Sequence, residues 1–591
     1  MSITVNYQKR KNQELFKSLE KDDFTKTQNY IPIYTKFFSL NETNYNGINF
    51  NNKWYVSSVL ENTQKNVYQC NLKNSETGRT KTKKIFFKQA PLLDPFKYMI
   101  GKYNMDDKSL LSLPELNSTF QDCNPKLLEV NNSAYVDGLF TYMLNQLLHD
   151  KKFIHGLEYY GSFLSIKKNF VMNVYDDLEC LNKSEFFKKN VNILFKVDEH
   201  DYVFESDSED DNSKTKTIEK KLNPIQIFQE TENIQLPLVD TFDDSIFENI
   251  FEDHPHSTAP TIVDLVDIMK HPELLQTLET GEKSTTIKSG STYSSRTSHT
   301  DENGIEETSS EWTDESGGKY DENVEDDSSS CEDEECVNAT FQEFPIQAIC
   351  MEKCENTLDN LILKTEMSMQ EWFSCLMQII MMLITYQELF SFTHNDLHTN
   401  NIMYVNTDKK YIYYCYKKKY YKVPTFGKIF KIIDFGRAIY KFNGQLFCSD
   451  SFQIGNDAAT QYNTEPYFNS KKPRLEPNYS FDLCRLACSI FDYVVDDMQS
   501  IEKLDKCSPI TRLIVEWCLD DKGMNILYKT NGDDRYPDFK LYKMIARCVH
   551  NHTPQEQLKR KEFSSFIVNK NKIEESGQII NIDDLISEMQ G

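Results

Sequence analysis

Hydrophobic and polar positions alternate with a period of two in the early part of the chain. Trp54–Leu60 and Val67–Leu72 show the pattern, separated by Glu61-Asn62-Thr63-Gln64-Lys65-Asn66. A turn at Asn74-Ser75-Glu76-Thr77-Gly78 then leads into Lys84-Ile85-Phe86-Phe87-Lys88. Period two puts successive side chains on opposite faces, so three strands are predicted, joined by a loop and a tight turn. The preceding residues, 1–50, are polar and rich in Asn and Lys, with Tyr30–Leu40 as their one apolar patch. They read as an extension that packs loosely on the strands. Pro91–Glu129 reads as an insert. Ser133 is the expected N-cap of a helix running to about Leu148, and Tyr159–Lys167 with Asn169–Tyr175 is expected to form a hairpin.

The pattern then lapses. Glu205–Asp211 is acidic, and Ser284–Cys336 is dominated by Ser, Thr, Glu, Asp and Gly. Such composition buries too little apolar surface to offset chain entropy and predicts disorder. Ile262–Leu278 is an island that reads as one or two short helices broken near Pro272. Ser328-Ser329-Ser330 ahead of Glu332–Glu335 reads mainly as a solvating stretch, and secondarily as a target for an acid-directed kinase. Order returns with a strand at Ile346–Glu355. A short helix opens at Thr357-Leu358-Asp359, and a longer one spans Ser368–Ser391, with Trp372, Leu376, Ile379, Ile380, Leu383 and Leu389 at roughly helical spacing. That stripe alone describes any core helix.

Composition narrows the picture further. The 591 residues suggest two or three domains, or one with large inserts. A formal charge of −25 argues against a general nucleic-acid binder. The 15 cysteines form no Cys-x-x-Cys pair, which favours free thiols in a reducing compartment. The first residues lack a basic-then-apolar leader, and the Cys375–Tyr386 run reads as too short for a bilayer. An intracellular, cytoplasmic protein without membrane contact is expected.

The candidate chemistry lies in Thr393-His394-Asn395-Asp396-Leu397-His398-Thr399-Asn400-Asn401, and in Lys431-Ile432-Ile433-Asp434-Phe435-Gly436. The first places an acid and an amide five residues apart after a helix. The second ends an apolar strand in an acid, an aromatic residue and a glycine. Together they resemble the catalytic loop and the Asp-Phe-Gly metal site of protein kinases. The resemblance implies an α+β, bilobal fold, with a β-rich small lobe, a mainly helical large lobe and a long disordered acidic insertion. It divides the chain into an extension (1–50), the small lobe (51–180), the insertion (181–343), the last small-lobe strand and hinge (344–355) and the large lobe (356–591). The implied cofactors are ATP and Mg²⁺, and the implied reaction is transfer of the γ-phosphate to Ser or Thr hydroxyls of protein substrates. Asp396 takes the role of the carboxylate that orients the acceptor hydroxyl and accepts its proton. Asn401 and Asp434 take the metal, and Lys88 the inner phosphates. Met351 borders the adenine pocket, while backbone groups of Glu352 and Cys354 meet the adenine edge. Asp137 is the helix acid available to Lys88. His394 packs on Phe435, and Asp482 holds the backbone of the catalytic loop.

The chain departs from the family in several places. No glycine occupies the phosphate loop, where Leu60, Asn62 and Lys65 stand instead; Asn62 and Lys65 would then contact phosphate through their side chains. Asn395 replaces an arginine whose usual partner is an activation-segment phosphate, so switching by such a phosphate is not expected. His398 replaces a common lysine. Thr464-Glu465-Pro466 inverts the order of the family's Ala-Pro-Glu. The excess residues between Asn401 and Asp434 include a basic, aromatic run, 409–422, read as an extended hairpin with a solvated lysine turn. The same run is the one place where contact with nucleic acid or an acidic partner is open, and docking of the chain's own acidic insert is a further hypothesis. Two rivals stand beside the kinase reading: a pseudokinase acting as a scaffold, and a small-molecule kinase of the aminoglycoside or choline kinase type. The Asn-, Lys-, Tyr- and Ile-rich composition and the run Phe86–Pro95 resemble divergent kinases of large cytoplasmic DNA viruses, which would place the protein in a host cytoplasm or a virion.

Overall fold

The computed structural model describes residues 4–198, 337–573 and 578–590. Residues 199–336 of the expected acidic insertion, with the helices at Ile262–Leu278 and the serines at Ser328–Ser330, lie outside the described residues. Within them the chain is α+β. Seven strands form one antiparallel sheet: β1 (Phe24–Gln28), β2 (Trp54–Gln64), β3 (Val67–Asn74), β4 (Thr80–Pro91), β5 (Tyr159–Asn173), β6 (Phe195–Val197) and β7 (Asn338–Glu352). Their order is β1-β5-β7-β4-β3-β2, with β6 also paired to β7. The three strands predicted by alternation are β2 to β4. The loop expected at 61–66 is shorter than anticipated: β2 runs to Gln64, and the turn is Lys65-Asn66, with Asn66 at φ +60°.

Alternation fixes the two faces of the sheet. Phe24, Tyr68, Phe87 and Phe163 meet edge-on or tilted on one side. Phe87 therefore sends its neighbour Lys88 to the opposite side, where helix contacts await it.

Three expectations need correction. Residues 1–50 are not a loose extension. Tyr7–Lys9 pairs with Ile48–Phe50, helix α1 (Gln13–Leu19) packs on β2, and β1 joins the main sheet beside β5. Tyr30, Ile31, Ile33 and Tyr34 are all buried. The hairpin expected at 159–175 is one continuous strand, β5, paired with β7 from Tyr159 to Asn173. Asn169 adopts φ +50° without a break in register, so the polar Lys167-Lys168-Asn169 run turns no corner. The insertion boundaries also shift, because Leu178–Asn182, Glu185–Asn190 and β6 are ordered helices and a strand, and β7 starts at Asn338.

Helix α2 (Ser133–Asp150) starts one residue earlier than expected, since Asn132 rather than Ser133 is the N-cap and accepts the Ala134 N–H. Helix α3 (Met369–Phe390) begins with a reciprocal capping box between Ser368 and Glu371. At 22 residues α3 is long and apolar enough to cross a membrane, which corrects the reading of its run as too short. However, 83% of its most apolar window is buried against the rest of the protein, as in any core helix. Ser391, at φ +49°, ends α3 and releases the polar loop beyond it.

Past that loop, β8 (Ile402–Asn406) is succeeded by a hairpin of β9 (Tyr411–Tyr416) and β10 (Lys419–Pro424), and then by β11 (Lys428–Ile432), which pairs back onto β8. The extended hairpin is thus present. Strands β12 (Ile567–Val568) and β13 (Ile579–Asn581) add to its two edges. Its turn, Lys417-Lys418, has φ +49° and +59°, a conformation that usually selects Asn and Gly. The Asp583 carboxylate accepts both turn N–H groups, at 2.7 and 2.8 Å. The acid that meets the lysine turn therefore comes from residues 559–591, a stretch in which the sequence pattern reveals no role. Helices α4 (Phe481–Val494), α5 (Lys540–Cys548) and α6 (Ile582–Gln590) belong to the C-terminal part of the chain.

Candidate functional site

Lys88 leaves β4 on the face turned toward α2, in register with Ile349 of β7. Its ammonium lies 2.7 Å from Asp137 of α2 and 2.9 Å from Asp434, just after β11. Asp is a short acid for such a bridge, and the close approach of α2 to the sheet makes up the length. A Cβ added at Gly138 would lie 2.4 Å from the Gln347 amide nitrogen on β7. Asp137 also accepts the Phe435 N–H at 3.1 Å, which ties α2 to the chain just past Asp434. Asp434 itself sits at φ +62°, which turns the backbone sharply out of β11.

The electrostatics stem from burial. Desolvation pulls the Lys88 ammonium down, but Asp137 and Asp434 outweigh it and hold its pKa above the ordinary lysine value. For Asp434, burial is outweighed by Lys88, and the carboxyl stays below its usual range. Burial dominates at Asp137, and with repulsion from Asp434 it pushes that carboxyl up despite Lys88. One cation thus serves two carboxyl groups. These three side chains line a small solvent-open cavity, with Ala90, Leu93, Lys126 and Asp457 among its other walls.

The loop after α3 is held from beneath. Both carboxylate oxygens of Asp482, on α4, accept backbone N–H groups, from His394 and from Asn395, each at 2.9 Å. The His394 ring packs on Phe435, with centroids 5.7 Å apart, and its Nε2 donates to the Ile433 carbonyl. Asn401 donates through its amide to the Asp396 carbonyl at 2.9 Å, and its backbone carbonyl accepts the Ile433 N–H at 3.0 Å. A short chain of bonds thus links Asp396, Asn401 and the residue before Asp434. Asn395 uses its side chain locally: it donates to the Arg437 carbonyl and accepts the Tyr462 hydroxyl.

Asp434 lines the cavity and Asn401 is not among its walls; each carries a hard oxygen donor. That donor set fits Mg²⁺, which commonly takes one or two protein oxygens and completes its shell with phosphate and water. Among the described residues no group of three or more His, Cys, Asp or Glu side chains forms a metal cage.

The other expected site residues stand apart. Asn62 and Lys65 lie at the exposed tip of the β2–β3 hairpin and are not among the walls of the cavity around Lys88. Met351 and Cys354 are buried at the end of β7 and just beyond it. The Glu352 backbone N–H is committed to the Glu158 carbonyl at 3.0 Å, which closes that group to an adenine edge. The Glu352 side chain accepts from Lys431 at 2.6 Å and from the Glu158 N–H at 2.9 Å, bracing β7 against β11.

Sequence reasoning missed five groups around this centre. The Tyr542 hydroxyl, on α5, donates to Asp396 Oδ1 at 2.8 Å. Arg437 lies 3.8 Å from Asp396 Oδ2 and is bonded at 2.5 Å to Asp457. Asp450 accepts the Ser133 N–H at the start of α2 and pairs with Lys126. Only Arg437 carried a signal, by coming directly after Asp-Phe-Gly. No family model matches this chain, and no curated protein does so either.

Proposed function

We propose that the chain is an ATP- and Mg²⁺-dependent phosphotransferase of the protein-kinase type, acting on Ser or Thr hydroxyls of protein substrates. The observation that carries this reading is the Lys88 ammonium shared between Asp137 and Asp434 at the wall of a cavity. A lysine fixed between a helix acid and an acid after a strand is a ready partner for phosphate oxygens. The loop pinned by Asp482 supports it, because a proton acceptor must be held still relative to the phosphate. In this reading Mg²⁺ is held by Asn401 and Asp434, and it supplies charge neutralisation on the transferring phosphoryl group. Asp396 orients the acceptor hydroxyl and takes its proton. The division into a sheet-rich and a helix-rich lobe belongs to the same proposal.

A second reading, a nucleotide-binding module without transfer, is favoured by two observations. The β2–β3 turn has no glycine, and Asp396 is buried at 2% exposure. Transfer of γ-phosphate to a Ser/Thr peptide mixture in the presence of Mg²⁺ separates the two. Asp434→Ala and Asp396→Asn are each expected to lower transfer by about a hundredfold or more. Nucleotide binding without transfer, by the native chain and by every variant of it, would reject the first reading.

A further inference from the structure

Asp396 does not line the cavity that Lys88 and Asp434 share. Its Oδ1 accepts the Tyr542 hydroxyl at 2.8 Å, and its Oδ2 faces Arg437 at 3.8 Å. The covering side chains are themselves fixed. Arg485, on α4, donates through Nε to the Tyr542 oxygen at 3.0 Å, and its guanidinium lies over the Tyr542 ring at 5.1 Å. Phe539 stacks on that ring as well, with centroids 5.3 Å apart. Tyr542, Arg437 and Arg485 are all buried.

An acceptor hydroxyl aligned for attack would donate a hydrogen bond to Asp396, within about 2.6–3.2 Å. The Tyr542 hydroxyl makes that bond already. We propose that Tyr542 is an internal stand-in for the acceptor, so that α5 masks the candidate base until the tyrosine is displaced. This rests on the phosphotransfer reading, since a mask matters only if Asp396 serves as the base. The contact has a cost to function: a substrate hydroxyl must compete with a tyrosine already hydrogen-bonded to the same carboxyl oxygen. Removing the hydroxyl while keeping the ring removes that competition, together with the bond that Arg485 Nε donates to the same oxygen.

Two measurements on the full chain test the proposal. The first reads exposure directly: carbodiimide-driven amine labelling of Asp396, with peptide mass spectrometry as the readout. Labelling is expected to be slow in the native chain and about tenfold faster or more in Tyr542→Ala. Equal labelling rates overturn the mask whether or not transfer occurs. The second is kcat/KM for a peptide acceptor, expected to rise about tenfold in Tyr542→Phe, with the melting temperature measured as a check on folding. Unchanged or reduced kcat/KM in a folded Tyr542→Phe would instead make Tyr542 a positioning residue, and overturn the proposal. Faster labelling with no transfer by any form rejects the phosphotransfer reading, and with it any catalytic meaning of the mask, while leaving the covered carboxylate as a fact of the fold.

Discussion

An acid as short as Asp137 reaches Lys88 because the neighbouring residue has no side chain. Gly138 lets α2 approach β7, and the short carboxylate then reaches Lys88 at 2.7 Å in a place with 1% exposure. A longer acid would carry its carboxylate past the point where it meets Lys88 at that distance. Asp137→Glu is therefore expected to destabilise the protein by about 1–3 kcal/mol through overpacking, although it preserves the charge. Thermal or urea unfolding checks this, and an unchanged midpoint would count against the close approach as the reason for an aspartate. The same residue marks the limits of reading the chain alone. Asp396, Asn401 and Asp434 stood out because a loop and a strand end present characteristic residue types at fixed spacing. Asp137 offered only an acid near the start of a helix, where a favourable helix-dipole charge is the commonest explanation. Tyr542 offered nothing, because its partner lies more than a hundred residues away and no local rule joins an amphipathic helix to a distant loop.

At the scale of elements, the junction between β11 and the β9–β10 hairpin is sealed by a neutral histidine. His155 Nδ1 donates to the Phe430 carbonyl on β11 at 2.8 Å, and Nε2 accepts the Tyr414 hydroxyl of β9 at 2.6 Å. Burial disfavours the imidazolium and holds the pKa down at about 4. In the unfolded chain the ring titrates near 6.5. The unfolded state thus gains a proton first as pH falls, so this contribution to stability is whole above about pH 6.5 and drains away toward pH 4. It amounts to about 3 kcal/mol across that window. Melting temperatures measured between about pH 7 and pH 4.5 should fall less steeply in His155→Gln than in the native chain; parallel slopes would refute the assignment. Element legibility tracked side-chain pattern. Strand β3 alternates over most of its length, and β2 departs from the period at its register shifts against β3, whereas β1 buries fully only Phe24 of its five residues and so gave no period to detect. In β5 three polar residues in a row imitate a turn, yet pairing with β7 carries the strand straight through them.

For the molecule as a whole, the long connection between β6 and β7 leaves and returns at nearly one point. Asp198 N–H donates to the Asn338 carbonyl at 2.9 Å, and the Asp198 carboxylate accepts the Asn338 N–H at 3.0 Å. The strands on either side are already paired. Replacing residues 199–336 with a short Gly/Ser linker is therefore expected to leave the fold intact and the melting temperature unchanged or raised, since a shorter loop loses less entropy on closure. Loss of cooperative unfolding would show that the described elements depend on the removed residues.

Strand β9, Tyr-Ile-Tyr-Tyr-Cys-Tyr, raises a question of timing. Its second edge is completed by Ile579–Asn581, synthesised roughly 160 residues later. At ~5–20 residues per second, that leaves a sticky aromatic ribbon waiting on the order of ten seconds for its neighbour. Such an edge invites other nascent chains to pair with it. Lys409 and Lys410 before it, and Lys417, Lys418 and Lys419 after it, are placed like gatekeepers against that fate. The lysine cluster then answers to the hazards of being made, whatever it binds afterwards.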